Sequence, residues 1–304
     1  MRHFLSLIDL TTEELTHLLD EAARLKADAR RGIRPPLLAG RVLGMIFEKP
    51  SLRTRASFEA AMAHLGGASI FLSASDGPIG QRESVADFAR TLNHYVDAVV
   101  LRTYKHATIA EFANHATVPV INGLSDLCHP CQVLADLLTV QEHFDGGIRG
   151  KTLVFVGDGN NVARSLALGC GKLGVRFILA APEGYRFDAG FEQTFHRVCG
   201  QGELIQNGVP SHAVGQADII YTDVWTSMGQ EAESGLRRAK FADFQVNDQL
   251  LAQAPPQARV MHCLPAHRGE EITSDVIDGP RSIVFEQAGN RLHAQKALLK
   301  WLMT

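Results

Sequence analysis

Val42-Leu43-Gly44-Met45-Ile46-Phe47-Glu48-Lys49-Pro50-Ser51-Leu52-Arg53-Thr54-Arg55 changes its periodicity half-way along. The run up to Phe47 is short and apolar, as a buried strand is. After Arg55, the residues Ala56, Ala60, Ala61, Met62 and Leu65 recur at helical spacing and stop at Gly66-Gly67. A strand feeding a helix through a short polar turn is the building unit of a parallel sheet. The turn also carries chemistry. Ser51, Thr54, Arg53 and Arg55 bring two hydroxyls and two guanidiniums to the free N–H groups of one helix N-terminus. That combination predicts an anion site suited to a phosphate dianion. It is not a P-loop, because no glycine-rich Lys-Ser/Thr element accompanies it.

The same alternation runs outward in both directions. A helix is predicted over about Thr12–Arg30, opened by a capping box in Thr11-Thr12-Glu13-Glu14, and Pro35-Pro36 leads from it into the strand at 41–47. Further strands are predicted at Ala68–Leu72, Ala98–Leu101 and Val118–Ile121, then a long amphipathic helix from about Pro130 to Phe144. Gly146-Gly147 reads as a domain boundary. The pattern then restarts with a strand at Thr152–Val156 and a helix from about Val162. Phe177–Ala181, Ile219–Thr222, Arg259–Met261 and Ser282–Phe285 are the next strand candidates, and a last helix spans about Leu292–Leu302. The fold class expected is α/β: two domains, each a parallel sheet flanked by helices. Ligands of such sheets bind beyond the carboxyl ends of the strands, so the active site is expected in the interdomain cleft.

Bulk properties narrow the function. A chain of 304 residues has room for two cores. A net charge of −3 gives no bulk attraction to nucleic acid or to a membrane. No apolar run approaches the roughly 20 residues that span a bilayer, and Asp9 breaks the short apolar start, so no signal peptide is expected. The five cysteines (Cys128, Cys131, Cys170, Cys199, Cys263) are odd in number and scattered, which points to reduced thiols and a cytoplasmic setting. Cys128-His129-Pro130-Cys131 has redox C-x-x-C spacing but no thioredoxin-like βαβ context, and no second ligand pair suits zinc.

Other polar clusters follow predicted strands. Leu101-Arg102-Thr103 ends one strand with an arginine, and His129-Pro130-Cys131-Gln132 opens the long helix, with Pro130 suited to its first position. In the second half, Asp223-Val224-Trp225-Thr226-Ser227-Met228-Gly229 places a carboxylate after a strand, able either to bind a substrate ammonium or to cap the loop beside a packing tryptophan. Met261-His262-Cys263-Leu264-Pro265 places a thiol in a loop. Gly157-Asp158-Gly159-Asn160-Asn161-Val162, with Glu183 beyond the next strand, has the layout of a dinucleotide motif, but Val162 replaces the third glycine. The preferred reading is a turn whose asparagine amides reach a small polar ligand; an NAD-linked dehydrogenase is the alternative.

Taken in order, Phe47–Arg55, Leu101–Thr103, His129–Gln132, Gly157–Asn161, Asp223–Gly229, His262–Pro265 and Asn290-Arg291-Leu292-His293 resemble the aspartate/ornithine carbamoyltransferase family, on its ornithine-using side. The resemblance implies transfer of the carbamoyl group of carbamoyl phosphate to the δ-amine of L-ornithine, giving L-citrulline and phosphate, in arginine biosynthesis or in reverse in arginine catabolism. It implies no metal and no organic cofactor. It implies a carbamoyl-phosphate-binding domain over 1–145, completed by a C-terminal helix 290–304, and an ornithine-binding domain over 146–289. By the family pattern Ser51, Leu52 (backbone), Arg53 and Thr54 hold the phosphate, Arg102 bridges phosphate and carbonyl, and His129 contacts the carbonyl oxygen. Gln132 and the backbone carbonyls of Cys263 and Leu264 hold the carbamoyl NH2, and Arg291, just before the last helix, reaches the same ligand. Asn161, Asp223, Ser227 and Met228 (backbone) take the amino-acid end of ornithine, with Cys263 near the reacting amine. Arg102, His129 and Cys263 are thus the catalytic candidates.

Ser227-Met228-Gly229 is the family's ornithine mark, whereas its aspartate enzymes carry His-Pro-Leu-Pro-Arg where this chain has His262-Cys263-Leu264-Pro265-Ala266. The resemblance further implies a homotrimer. Two positions depart from the family. Pro78 stands where a glutamine from a neighbouring subunit is usual, with Gln81 or Arg82 as possible replacements, and Gly289 stands where glutamate is usual.

Overall fold

Thr11 opens the first helix through a reciprocal cap. Its hydroxyl accepts the Glu14 N–H at 3.2 Å while the Glu14 carboxylate accepts the Thr11 N–H at 2.9 Å. A computed structural model describes the chain except residues 77, 145–146, 201 and 227–230. The backbone contacts divide the chain into two units, Met1–Leu138 with Asn290–Thr304, and Thr139–Gly289.

The first unit contains α1 (Thr12–Arg30), β1 (Val42–Phe47), α2 (Leu52–His64), β2 (Ala68–Ser73), α3 (Val85–Leu92), β3 (Ala98–Arg102), α4 (His106–His115), β4 (Val120–Leu124) and the start of α5 (Pro130–His143). Its sheet is wholly parallel, in the order β2-β1-β3-β4. β1 lies inside the sheet, and Leu43, Met45, Ile46 and Phe47 are all buried, as its unbroken apolar run requires. Connections leave β1 toward β2 on one side and return to β3 on the other. The sheet therefore has its switch point between β1 and β3, where Phe47 faces Arg102.

The second unit repeats the scheme with β5 (Thr152–Val156), α6 (Asn161–Leu173), β6 (Arg176–Ala180), α7 (Ala189–Cys199), β7 (Leu204–Asn207), α8 (Pro210–Val214), β8 (Ile219–Thr222), α9 (Ser234–Phe241), α10 (Asp248–Leu251), β9 (Arg259–His262), α11 (Ser274–Ile277) and the start of α12 (Val284–Met303). The strand order β7-β6-β5-β8-β9 is again all parallel, and its switch point falls between β5 and β8. Val154, Val156, Ile220, Trp225, Phe241 and Val260 belong to its buried core.

The α/β class and the parallel sheets agree with the sequence. Three details differ. Ser282–Phe285 is not a strand: Ser282 makes a single bridge to Val260, and Val284 already begins α12. The last helix consequently starts before Leu292, and Arg291 lies within it rather than ahead of it. β7, a half-buried strand at the edge of its sheet, has no apolar run to announce it.

Candidate active site

In the first unit, the switch point sets β1 and β3 side by side with their following loops diverging, and the polar turn of the sequence lies there. Ser51 caps α2: its Oγ accepts the Thr54 N–H at 3.3 Å and donates to Thr54 Oγ1 at 3.0 Å. The Arg291 guanidinium, from α12, donates to the same Thr54 Oγ1 at 2.8 Å. Thr54, Arg291 and Arg102 are all buried, so two of the cations are held away from bulk water. Burying a cation is expensive, and such a pair creates a strong local preference for an anion.

His129 precedes α5 and is 5% exposed. Burial pushes its imidazole well below the ordinary 6.5, and the charges of Arg291 and Arg102 push it further the same way. The ring is therefore neutral at physiological pH and has one N–H to donate. Gln132, one turn on, donates from Nε2 to Asp136 Oδ1 at 2.9 Å. Its Oε1 is buried and has no hydrogen-bond partner among the described residues. A buried acceptor of this kind suits an N–H donor on a ligand.

The remaining sites of the first half are more open. Arg53 is half-buried at the first turn of α2, and Leu52 exposes its side chain, consistent with a role through backbone alone. Arg55 departs from the expectation of two guanidiniums on one anion. It is exposed, pairs with Glu59 at 2.9 Å and stacks 3.9 Å above the Phe71 ring. Gln81 and Arg82 are exposed in the loop between β2 and α3.

In the second unit the loops after β5 and β8 meet at the switch point. Asp223, 7% exposed, accepts from three donors: Asn160 Nδ2 at 2.9 Å on Oδ2, and the Val224 N–H at 2.8 Å and the Cys263 thiol at 2.9 Å on Oδ1. Asn160 also caps α6, accepting the N–H groups of Val162 and Ala163 at 3.0 Å each. Those are the donors a dinucleotide pyrophosphate would need, so the helix start is already satisfied. Asn161, half-buried, is the first residue of α6. Gly157 has φ +145°, a backbone shape open to glycine that lets the chain turn out of β5. Ser227 and Met228 lie outside the described residues.

The loop after β9 is held by its histidine. His262 Nδ1 accepts the Leu264 N–H at 2.8 Å, so the ring proton sits on Nε2 and is donated to Glu271 Oε1 at 3.0 Å. Leu264 has φ +58°, the one non-glycine residue among those described with positive φ. That conformation costs on the order of 1–3 kcal/mol and tends to persist at functional loops. The ligating atoms of Asp223, His262 and Cys263 lie within 4.8 Å of one another, and those of His267, Glu270 and Glu271 do likewise. Both nitrogens of His262 are committed to the protein, so a metal at the first cluster would have to displace one of those bonds.

The C-x-x-C pair is structural. Burial raises the thiols of Cys128 and Cys131 to about 12, and each thiol donates to a main-chain carbonyl, Leu5 and Asn122 respectively. Protonated buried thiols are poor nucleophiles. Two further residues tie the loops at the switch points together. One is Arg237, whose guanidinium donates to Asp158 at 2.7 Å and to the Trp225 carbonyl at 2.9 Å, joining the two loops of the second switch point. The other is Glu48, bonded across the first switch point. Arg237 lies outside every motif read from the sequence, and Glu48, although inside the Phe47–Arg55 stretch, bonds a main-chain N–H 56 residues away, which spacing does not reveal.

The family description "Aspartate/ornithine carbamoyltransferase, carbamoyl-P binding domain" matches residues 2–142, and its "Asp/Orn binding domain" matches residues 149–302. The chain belongs to the aspartate/ornithine carbamoyltransferase family. Among its relatives, the protein described as "Ornithine carbamoyltransferase, anabolic" of Pyrococcus furiosus is 52% identical over 306 residues, covering 99% of this chain and 96% of the relative. The "Ornithine carbamoyltransferase" of Bacillus subtilis is 49% identical over 305 residues, covering 99% and 94%. The solved structure of the Pyrococcus furiosus ornithine carbamoyltransferase superposes with a TM-score of 0.96 at 51% identity, over 99% of this chain and 97% of that one. As a member of the aspartate/ornithine carbamoyltransferase family the chain is a transferase, and both switch points lie within the matched spans. No helix among the described residues is long and apolar enough to cross a membrane.

Proposed function

We propose that this enzyme transfers the carbamoyl group of carbamoyl phosphate to the δ-amine of L-ornithine, releasing L-citrulline and phosphate. The observation that carries the reading is the buried group at the first switch point. Neutral His129 lies in the field of buried Arg102 and Arg291, and Arg291 is bonded to the Thr54 hydroxyl at the capped start of α2. In this reading Ser51, the Leu52 N–H, Arg53 and Thr54 hold the phosphate, with Arg291 beside them. Arg102 spans phosphate and carbonyl, and His129 donates its N–H to the carbonyl oxygen. Gln132 Oε1 accepts from the carbamoyl NH2 together with the carbonyls of Cys263 and Leu264. Asn161, Asp223, Ser227 and the Met228 backbone hold the amino-acid end of ornithine, and Cys263 lies by the amine.

The energetics favour positioning as the main device. A free alkylamine has a pKa of about 10.4, so attack by the neutral amine near pH 7 costs about 4–5 kcal/mol. Holding amine and carbonyl carbon adjacent supplies roughly 7–11 kcal/mol. As the amine adds, charge grows on the carbonyl oxygen, where Arg102, Thr54 and His129 stabilise it. The C–O bond to phosphate then breaks, and the dianion leaves into a cradle that already neutralises it. The proton that the amine loses passes to the departing phosphate, which leaves as the hydrogen phosphate dianion as citrulline forms.

We assign the net direction toward citrulline from the name of the anabolic relative, a cytoplasmic location from the five scattered cysteines and a homotrimer from the family resemblance; light scattering on the purified protein tests the last. The acceptor is tested by a panel of ornithine, aspartate, putrescine and acetylornithine with carbamoyl phosphate, read as carbamoylated product. Ornithine is expected to exceed every other acceptor in kcat/KM by at least about a hundredfold. Product from aspartate at a comparable rate would overturn the assignment.

A further inference from the structure

The ladder between β1 and β3 continues past the end of the strands. Beyond the last register pair, Phe47 and Arg102, the Glu48 N–H donates to the Arg102 carbonyl at 2.8 Å. Glu48 then uses its side chain for the next bond: the Tyr104 N–H donates to Glu48 Oε2 at 2.8 Å. The carboxylate thus stands where the ladder's next carbonyl would be, and a charged acceptor makes the stronger bond. Lys49, the following residue, is 7% exposed, which is rare for a lysine. Its ammonium sits 4.4 Å from the centre of the Tyr104 ring. From the other side, the Thr103 N–H donates to the Leu124 carbonyl at 3.0 Å and the Thr103 hydroxyl to the Lys105 carbonyl at 2.8 Å. The turn after Arg102 is therefore tied on both flanks. Only Pro50, with its fixed φ, separates Lys49 from Ser51.

We propose that Glu48 and Lys49 grip the Tyr104 turn and act as positioning residues, setting the Arg102 guanidinium against the anion cradle at the start of α2. Neither needs to touch the ligand. Glu48 fixes the main chain at the Arg102 carbonyl and again at the Tyr104 N–H, and Lys49 carries that restraint, through one rigid proline, into the residues that cap α2. The proposal rests on the carbamoyl phosphate reading of that cradle and adds to it residues that the family pattern leaves unassigned. Displacing a catalytic group by about 1 Å can cost about a hundredfold in rate, so a restraint this close to Arg102 is expected to show in kinetics more than in folding.

The test compares wild type with Glu48→Ala, Glu48→Gln and Tyr104→Leu, each by thermal melting and by steady-state citrulline synthesis. Glu48→Ala is expected to lower kcat/KM for carbamoyl phosphate by about tenfold or more. Its KM for ornithine, at saturating carbamoyl phosphate, should stay within about twofold. Glu48→Gln keeps an oxygen acceptor and is expected to recover activity to within about threefold of wild type. Tyr104→Leu alters a half-exposed ring and should fall between; it carries the same expectation if Glu48→Ala does not fold. A Glu48→Ala enzyme within twofold of wild type for carbamoyl phosphate would overturn the proposal, as would equal losses for both substrates or no rescue by glutamine. An active wild type with an indifferent Glu48→Ala removes this proposal alone. A wild type that makes no citrulline removes the functional reading and this proposal with it.

Discussion

At Cys263 the thiol proton has a definite destination, Asp223 Oδ1, which it shares with the Val224 N–H. Removing the thiol leaves a buried carboxylate with one donor fewer and opens space beside it, so both the charge and the direction of Asp223 change. Cys263→Ala is expected to raise the KM for ornithine about tenfold, equivalent to about 1.4 kcal/mol and typical of one lost hydrogen bond to a charged group, and to lower kcat as well. Melting should move little, since Cys263 is only half-buried. Steady-state kinetics indistinguishable from wild type would reduce Cys263 to a packing residue. Leu264 next to it shows the same site at the level of the backbone. Nothing in the letters Cys263-Leu264-Pro265 signals a left-handed residue, because leucine is an unfavourable choice for it. The conformation is imposed by His262, which fastens the Leu264 N–H.

Among elements, α6 shows how one side chain serves both stability and the site. Asn160 caps the helix with its oxygen and restrains Asp223 with its nitrogen. Asn160→Ala is expected to cost about 1 kcal/mol of stability from the lost cap, and separately to raise the KM for ornithine. Chemical denaturation and acceptor kinetics on the same variant read the two effects. A loss of stability with unchanged KM would leave Asn160 as a cap only. The elements that the sequence marked clearly are those with one strong signal each. α1 has its capping box, β5 its unbroken apolar run and α5 its proline at the first position. Ser282–Phe285 misled because Ile283, Val284 and Phe285 are apolar and short, and part of the signal is real. The Ile283 N–H donates to the Val260 carbonyl as a strand residue would, but Val284 then turns into a helix whose Gln287 side chain accepts the His262 N–H. The capped turn proposed to hold the anion was legible because Ser51, Arg53 and Thr54 are neighbours in sequence. The bond from Arg291 to Thr54 was not legible from spacing, since the two lie 237 positions apart; only family resemblance pointed to Arg291.

For the molecule as a whole, the same device appears twice. Each unit is a parallel sheet whose strand order reverses at a switch point, and each switch point carries one half of the proposed chemistry. The buried thiols make a further global prediction. Cys128 and Cys131 hold their protons up to about 12 in the folded chain, against an ordinary value of 9.0. Above pH 9 the unfolded chain releases protons that the folded chain retains, so stability falls as pH rises from about 9 toward 12. Between pH 8 and pH 10 the two thiols together account for a loss of about 2–3 kcal/mol. Denaturant melts at both pH values should show it, and a Cys128→Ala, Cys131→Ala double variant should show a visibly shallower decline.

The claim on which the rest depends is that the two switch points hold different substrates. Its most direct test is a pair of variants, Arg53→Ala and Asp223→Asn, with the KM for each substrate measured at saturating concentration of the other. Arg53→Ala is expected to raise the KM for carbamoyl phosphate about tenfold or more and leave that for ornithine within about twofold, and Asp223→Asn to do the reverse. An Arg53→Ala enzyme with unaltered carbamoyl phosphate saturation, or an Asp223→Asn enzyme with unaltered ornithine saturation, would contradict it.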